Sequence, residues 1–320
     1  MRNEVAAIAI GRNEGERLAR CLASLEGWTH PIIYVDSGST DGSTNVAKDA
    51  GAEVVELDMS RPFTAARARN AGLARLAEID PDCEFVQFLD GDCELQDGWI
   101  EVASAALVAD PDLALVCGRR RERFPDASIW NRMIDHEWNT RIGEARACGG
   151  DALMRRAALD EVGGYRESLI AGEDPELCYR IRQKGWRVRR IDAEMTAHDA
   201  ALTRFSQWWQ RARRAGYAFA EGAALHGSGS EGYRRPETRR ALFWGLGLPM
   251  ATILALVLFG SAVLLLLLVW PLQVVRLKAR GLDWVSAFFL TVGKFPEAQG
   301  VLGYWIGRLT GRQRRLIEYK

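Results

Sequence analysis

The sequence predicts an α/β domain, a mostly parallel sheet flanked by helices, followed by C-terminal membrane-associated helices. Three observations predict it. Through the first 200 residues, short β-like apolar runs alternate with amphipathic segments, the order that calls for a parallel sheet covered by helices. From Ala241 to Val275 there are 35 residues without a charged side chain, more than the roughly 20 apolar residues that span a bilayer as a helix. The charge is also divided. The 42 basic and 42 acidic residues cancel over the 320-residue chain. Residues 1–200 hold 25 basic against 36 acidic, a net of −11, and residues 201–320 hold 17 against 6, a net of +11.

The composition excludes several classes. Apolar residues at 48% and charged residues at 26% exclude a mainly disordered chain. The zero balance gives no case for a nucleic-acid partner, which would show a basic excess. Cys21, Cys83, Cys93, Cys117, Cys148 and Cys178 form no CxxC and no tight cluster in sequence, which argues against a zinc site or disulfide scaffold and for free buried thiols.

Taken in order, Val5–Ile10 reads as a buried first strand, too short for a signal peptide's apolar region. The N-terminal part is therefore expected in the cytoplasm. Asn13–Leu25 carries Leu18, Cys21, Leu22 and Leu25 at helical spacing. Ile32–Val35 is the second strand, followed by a polar turn and a short helix to Ala50. Glu53–Leu57 is a strand, Thr64–Ala77 a helix rich in Ala and Arg, and Phe85–Leu89 a strand ending in Asp90. In such sheets ligands bind beyond the carboxyl ends of the strands, so the loops after Ile10, Val35 and Leu89 are where chemistry is to be sought.

Four motifs occupy such places. Asp36-Ser37-Gly38-Ser39-Thr40-Asp41-Gly42 puts two carboxylates among glycines at a strand end. It reads equally as a nucleoside contact or as a plain Asx/Gly turn. Asp90-Gly91-Asp92 suits a divalent cation carrying a diphosphate, because Mg²⁺ and Mn²⁺ prefer oxygen ligands; solvated turns also show this pattern. Gly172-Glu173-Asp174-Pro175 reads as a helix start, with the acidic pair serving as a cap or as a general base. His198 follows the strand-like Trp186–Ile191. His30, His136 and His226 have no notable context.

The ordered set Arg12-Asn13-Glu14, Val35 to Gly42, Ala68-Arg69-Asn70-Ala71-Gly72, Leu89-Asp90-Gly91-Asp92, Gly163-Gly164-Tyr165 and Gly172-Glu173-Asp174 resembles family-2 glycosyltransferases over residues 4–225. The resemblance implies a GT-A fold, a nucleotide-diphosphate sugar donor, a divalent metal (Mg²⁺ or Mn²⁺) and inversion at the anomeric carbon. It implies that Asp36 and Asp41 contact base and ribose, with the backbone at Ile10 and Arg12 and the Glu14 side chain lining the same pocket. Arg69 and Asn70 would lie near the nucleotide, Asp90 at ribose or metal-bound water, and Gly149 and Gly150 beside the phosphates and sugar. Asp92 would ligate the metal, with His198, 24 residues after Asp174, completing that site. Asp174 would be the catalytic base, with Glu173 as the neighbouring candidate. No Ser-His-Asp or Cys-His arrangement competes for a nucleophile's role. The chain departs from the family in reading Gly164-Tyr165-Arg166-Glu167 where Gly-Phe-Asp-Glu is frequent. It also has Gln210-Arg211-Ala212-Arg213-Arg214 without the tryptophan of processive synthases.

The expected organisation is a catalytic domain over 1–225, a basic linker over 226–240 and a membrane segment over 241–275. Amphipathic interfacial helices and a basic tail would follow over 276–320. Arg234, Arg235, Arg239 and Arg240 precede the uncharged stretch, and Arg276, Lys278 and Arg280 follow it. By the positive-inside rule this favours a re-entrant hairpin over a single tilted span. Pro249, Gly260-Ser261 and Pro271 offer places to bend. Trp284–Leu309 reads as a helix or helix pair lying in the interface. The basic segment Arg204–Arg214, with Trp208 and Trp209, reads as a solvated cationic face with packed tryptophans or, the favoured reading because the apolar run follows directly, as a surface facing anionic headgroups or a lipid diphosphate. The expected protein is a glycosyltransferase at the cell inner membrane, its catalytic domain cytoplasmic, acting on a glycan or lipid-linked acceptor in envelope or exopolysaccharide assembly. The rivals are a polyprenyl-phosphate glycosyltransferase and a catalytically silent membrane scaffold. A sugar nucleotidyltransferase would need an N-terminal Gly-rich, Arg-containing loop that is absent here.

Overall fold

In the computed structural model, which describes residues 5–311, nine strands form one mixed sheet among the described residues. They are β1 (Val5–Gly11), β2 (Ile32–Asp36), β3 (Glu53–Glu56), β4 (Phe85–Asp90), β5 (Cys93–Leu95), β6 (Leu113–Glu122), β7 (Gly143–Glu144), β8 (Ala152–Arg155) and β9 (Arg187–His198). Their order is β3-β2-β1-β4-β8-β6-β9-β5, with β7 on β9. The β3-β2-β1-β4 block is parallel, as βαβ alternation requires. Beyond it β8 runs antiparallel to both β4 and β6, β6 and β9 are parallel, and β5 and β7 are antiparallel to β9.

Helices α1 (Glu16–Ala23), α2 (Ser43–Asp49), α3 (Ala65–Ile79), α4 (Trp99–Ala109), α5 (Ile129–Trp138), α6 (Arg156–Val162) and α7 (Glu173–Gln183) belong to this first unit, which ends at Ala201. The Thr64 hydroxyl caps α3 by accepting from Arg67 N at 3.1 Å. Ile8, Ile33, Phe85, Phe88 and Leu89 are fully buried, each contributing about 1.5–3 kcal/mol relative to exposure. Gly72 has a packing cause: a Cβ there would lie 2.5 Å from Ile8 Cγ2, so only glycine lets α3 lie this close to β1.

The second unit begins at Leu202, so helix α8 (Phe205–His226) groups with the C-terminal helices, whereas the sequence reading extends the first domain to 225. Then come α9 (Arg235–Leu242), a π-helical turn at Phe243–Gly247 and α10 (Leu248–Phe259). A proline clashes with the carbonyl four residues back; for Pro249 that is Gly245, inside the π turn that absorbs the mismatch. Arg235–Phe259 is one 25-residue helical run of mean hydropathy 2.1, long and apolar enough to cross a membrane. It stops at Gly260, whose φ of 70° and ψ of −160° belong to a region essentially reserved for glycine. The uncharged stretch is therefore not one helix. It continues as a 3₁₀ segment, Gly260–Leu268, and then α11 (Val269–Ala279).

The expected helix pair appears as α12 (Trp284–Val292) and α13 (Lys294–Thr310), separated at Gly293. Of the charges in this apolar region, Lys294, Glu297 and Arg308, the first two pair with each other at 2.7 Å. Met1–Glu4 and the tail beyond Gly311 lie outside the described residues. α8 and α13 approach backbone to backbone. A Cβ on Gly300 would overlap the Arg213 carbonyl, and one on Gly216 the Glu297 carbonyl. Gly300→Ala is accordingly expected to force these helices apart and cost about 1–3 kcal/mol. Chemical denaturation of the detergent-solubilised chain checks this; a wild-type midpoint would refute it.

Candidate active site at the strand ends

The parallel register brings three loops to one place. Gly11 of β1 lies beside Asp36 of β2, and Ile10 beside Asp90 of β4. The Gly91 N–H donates to the Ile10 carbonyl at 2.8 Å, and the Ser37 N–H to the Gly11 carbonyl at 3.0 Å. Asn13, at φ 55°, ties the first two loops together: its Oδ1 accepts from Thr40 N at 2.7 Å and its N–H donates to Ser39 Oγ at 2.9 Å. Asn is among the few residues that adopt this conformation cheaply.

At the centre sits Arg69, on α3 and 2% exposed. Its guanidinium lies 2.8 Å from Asp90 Oδ1, 3.2 Å from Glu173 Oε1 and 3.1 Å from Asp174 Oδ1. Thus one cation holds three carboxylates from two elements. The acidic pair opens α7, whose N-cap is Gly172 in the left-handed conformation, without a side-chain cap hydrogen bond. Both carboxylates lie in the first turn of α7 and pair with Arg69. Burial pushes the Asp174 carboxyl up to about 7, against the pull of Arg69 and with help from Glu173 and Asp90. A carboxylate in that range accepts a proton well near neutral pH.

The antiparallel pairing of β5 with β9 places Cys93 opposite His198, and with it Asp92, whose Oδ2 is 3.1 Å from His198 Nε2. Burial, reinforced by Arg120, holds the imidazole pKa down at about 4, so the ring is neutral at pH 7. Apart from that ion-pair contact, neither of its buried nitrogens has a hydrogen-bond partner among the described residues. A neutral imidazole with an unused lone pair beside a buried carboxylate is a donor set that suits Mn²⁺ or Mg²⁺. Asp92, Cys93 and His198 offer ligand atoms within 4.8 Å of one another. Burial drives the Cys93 thiol far up, which leaves it protonated and outside that set.

The other residues singled out in the sequence divide into groups. Asp36 is buried and accepts from the N–H groups of Gly38 (2.9 Å) and Ser39 (2.8 Å) and from the Tyr34 hydroxyl (3.2 Å). Asp41 is held below the usual carboxylate range by the Ser43 hydroxyl at 2.6 Å. Both carboxylates thus shape the loop. The Arg12 guanidinium lies over the Phe63 ring at 4.6 Å, and Glu14 pairs with Arg17 at 2.8 Å. Asn70 turns toward the Gly163-Gly164-Tyr165 segment, with Nδ2 donating to the Tyr165 carbonyl and Oδ1 accepting from Tyr165 N, each at 2.8 Å. Gly150 must lack a side chain because a Cβ would overlap the Arg69 guanidinium, and Gly149 lies beside Arg120. The departure at Arg166 is also accounted for. Arg166 bonds the buried Glu176 at 3.0 Å, as does Arg180, whose remaining N–H groups hold the Val162 and Gly164 carbonyls.

Sequence reasoning missed Arg120, Asp151 and Trp138. Asp151 is fully buried; it accepts from Asp90 N at 3.1 Å and the Thr196 hydroxyl at 2.9 Å, and Arg120 bonds it at 2.6 Å. Arg120 reaches Asp90 at 3.4 Å and lies over the Trp138 ring at 5.2 Å. The one available signal was Asp151 directly after Gly149-Gly150; Arg120 and Trp138 had none.

Comparison with known proteins agrees with this geometry. The family described as glycosyl transferase family 2 matches residues 8–163, and glycosyl transferase family group 2 matches residues 89–293. A pre-mycofactocin glycosyltransferase of Mycobacterium tuberculosis (strain ATCC 25618 / H37Rv) is 28% identical over 70% of this chain and 48% of its own length. The succinoglycan biosynthesis protein ExoU of Rhizobium meliloti (strain 1021) is 32% identical over 59% of each chain. The O-antigen chain rhamnosyltransferase WbaN of Salmonella anatum is 27% identical over 63% of this chain and 68% of its own. The chain thus spans about half the length of the mycobacterial relative. A solved structure of the mannosyltransferase PcManGT from Pyrobaculum calidifontis, in complex with GDP-Man and Mn²⁺, has a TM-score of 0.64 at 17% identity, covering 98% of this chain and 89% of that one. That likeness establishes the GT-A fold. With the family-group match running from residue 89 to residue 293, over more than half of the chain, the chain belongs to the family-2 glycosyltransferases.

Proposed function

We propose that the chain transfers a sugar, with inversion, from a nucleoside-diphosphate sugar to a hydroxyl of a glycan or lipid-linked acceptor in envelope polysaccharide assembly. The observation that carries the reading is Asp174, buried beside Arg69 with its pKa raised to about 7, on the same strand-end surface as the Asp92–His198 pair. Inverting transfer needs one base to take the acceptor proton as the anomeric carbon is attacked, and Asp174 is assigned that role. Arg69 orients it, and Glu173 completes the ion-pair cluster. Asp92 and His198 would hold the divalent cation, which when bound supplies charge neutralisation for the departing diphosphate. The names of the relatives, which include succinoglycan and O-antigen proteins, and the GDP-Man and Mn²⁺ in the PcManGT complex support the acceptor and donor classes. We infer further that the stretch around Arg235–Phe259 attaches the protein to the cytoplasmic membrane. The basic residues flanking residues 241–275 would meet anionic headgroups and keep the catalytic unit cytoplasmic.

Thermal-shift screening of the full chain against a panel of nucleoside-diphosphate sugars, with and without Mn²⁺, tests the reading. The correct donor at a hundred times its Kd should add about 2.7 kcal/mol of stability, and Asp92→Asn should remove the Mn²⁺-dependent part. A chain that no nucleotide sugar stabilises, with either Mn²⁺ or Mg²⁺, would instead be the silent scaffold.

A further inference from the structure

Ligating histidines ordinarily donate their second ring nitrogen to a carboxylate, carbonyl or water, which fixes the ring plane. In His198 that second nitrogen, Nδ1, is buried with no hydrogen-bond partner among the described residues. What it has instead is an aromatic stack. The Trp138 indole lies on the imidazole with ring centroids 4.7 Å apart and planes inclined by 24°. We propose that Trp138 is a positioning residue for the divalent-cation centre, holding the imidazole so that Nε2 faces Asp92; the inference rests on the assignment of Asp92 and His198 as cation ligands.

Trp138 is built to do this. It ends α5, and that helix is fastened to β6: Asp135 accepts from Glu122 N at 2.9 Å and pairs with Arg119 at 2.7 Å. Asn131 Nδ2 donates to Glu122 Oε1 at 3.1 Å. Just beyond the indole, Arg190 holds the Thr140 carbonyl and Asn139 Oδ1. The indole is therefore anchored on both sides in the chain, and β6 in turn carries Glu122 opposite His198. The same ring seats Arg120 at 5.2 Å, the guanidinium that bonds Asp151 and reaches Asp90. One aromatic plane thereby sets both an imidazole and the cation next to the Asp90 carboxylate. Offset stacking of this kind adds about 0.5–1.5 kcal/mol beyond burial, enough to select one ring orientation.

The test uses the full chain and Mn²⁺ alone, with free Mn²⁺ followed by electron paramagnetic resonance and tryptophan emission read in parallel. The wild type should bind Mn²⁺ with partial quenching of its emission by the paramagnetic ion. Trp138→Ala should weaken Mn²⁺ about tenfold or more, the range for removing an outer-shell support. Trp138→Phe, whose ring still stacks, should restore affinity to within about threefold while losing most of the quenching. Wild-type Mn²⁺ affinity in Trp138→Ala would overturn the proposal alone. Should that variant not fold, Trp138→Phe decides, and full quenching in it would overturn the proposal. A wild-type chain that binds no Mn²⁺ would bring down the ligand assignment itself, and this proposal with it.

Discussion

Asp174→Asn is expected to lower kcat about a thousandfold, within the range that positioned general bases supply, while the donor still stabilises the chain against heat. The amide keeps the shape of the side chain and loses only the proton-accepting oxygen. Loss of fold would not explain the effect, as the direction of the pKa shift makes clear. The folded-state pKa of about 7 lies above the ordinary value near 3.9. The protonated carboxyl therefore stabilises the fold below the unfolded pKa, and that contribution is lost as pH rises through 7. At pH 8 the wild type carries a disfavoured charge that Asn removes, so the variant should melt no lower there. For the wild type, kcat/KM should fall about tenfold per pH unit below 7 as Asp174 becomes protonated. Were the acceptor a polyprenyl phosphate, already ionised and in no need of a base, Asp174→Asn would retain most of its activity and the acid limb would vanish. A steady-state pH profile of both proteins separates the two readings.

Arg69→Met carries the largest expected effect on stability. Removing a 2%-exposed guanidinium leaves Asp90, Glu173 and Asp174 facing one another. Breaking a buried charge cluster in this way costs about 3–5 kcal/mol. In a unit of this size that lowers the melting temperature by about 6–20 °C. Carboxylates without their counter-charge take up protons at higher pH, so the deficit should shrink between pH 8 and pH 5. Adding Glu173→Gln to the variant should recover part of it. A melting temperature within a degree or two of wild type at pH 8 would show that the three carboxylates do not depend on this cation.

The site was legible in the sequence where residue type and chain position suffice. Asp36, Asp90 and Asp92 end strands or follow them directly, and alternation of apolar runs with amphipathic helices is enough to put them at one edge of a parallel sheet. Asp174 was legible as an acidic residue at a helix start, but its two readings, cap or base, differ only in what it faces. Asn70 shows the opposite case. Its neighbour Arg69 enters the carboxylate cluster, while Asn70, one residue on along α3 and so rotated away, bonds the Tyr165 backbone. Adjacent letters in a motif do different work because a helix turns about 100° per residue.

By itself the sequence determined the α/β class, the family, the carboxylate-bearing loops and the uncharged stretch of 35 residues between basic flanks. These depend on local pattern and composition, which one strand or helix expresses alone. Tertiary structure alone decided that Arg69 is the shared partner of three carboxylates, that Gly150 is small to admit it, and that Trp138 lies on His198. It also decided that the uncharged stretch breaks at Gly260. The site contacts join residues far apart in the chain, such as Arg69 with Glu173 and Trp138 with His198. No local pattern encodes them, because their energies exist only once the sheet has brought its elements together.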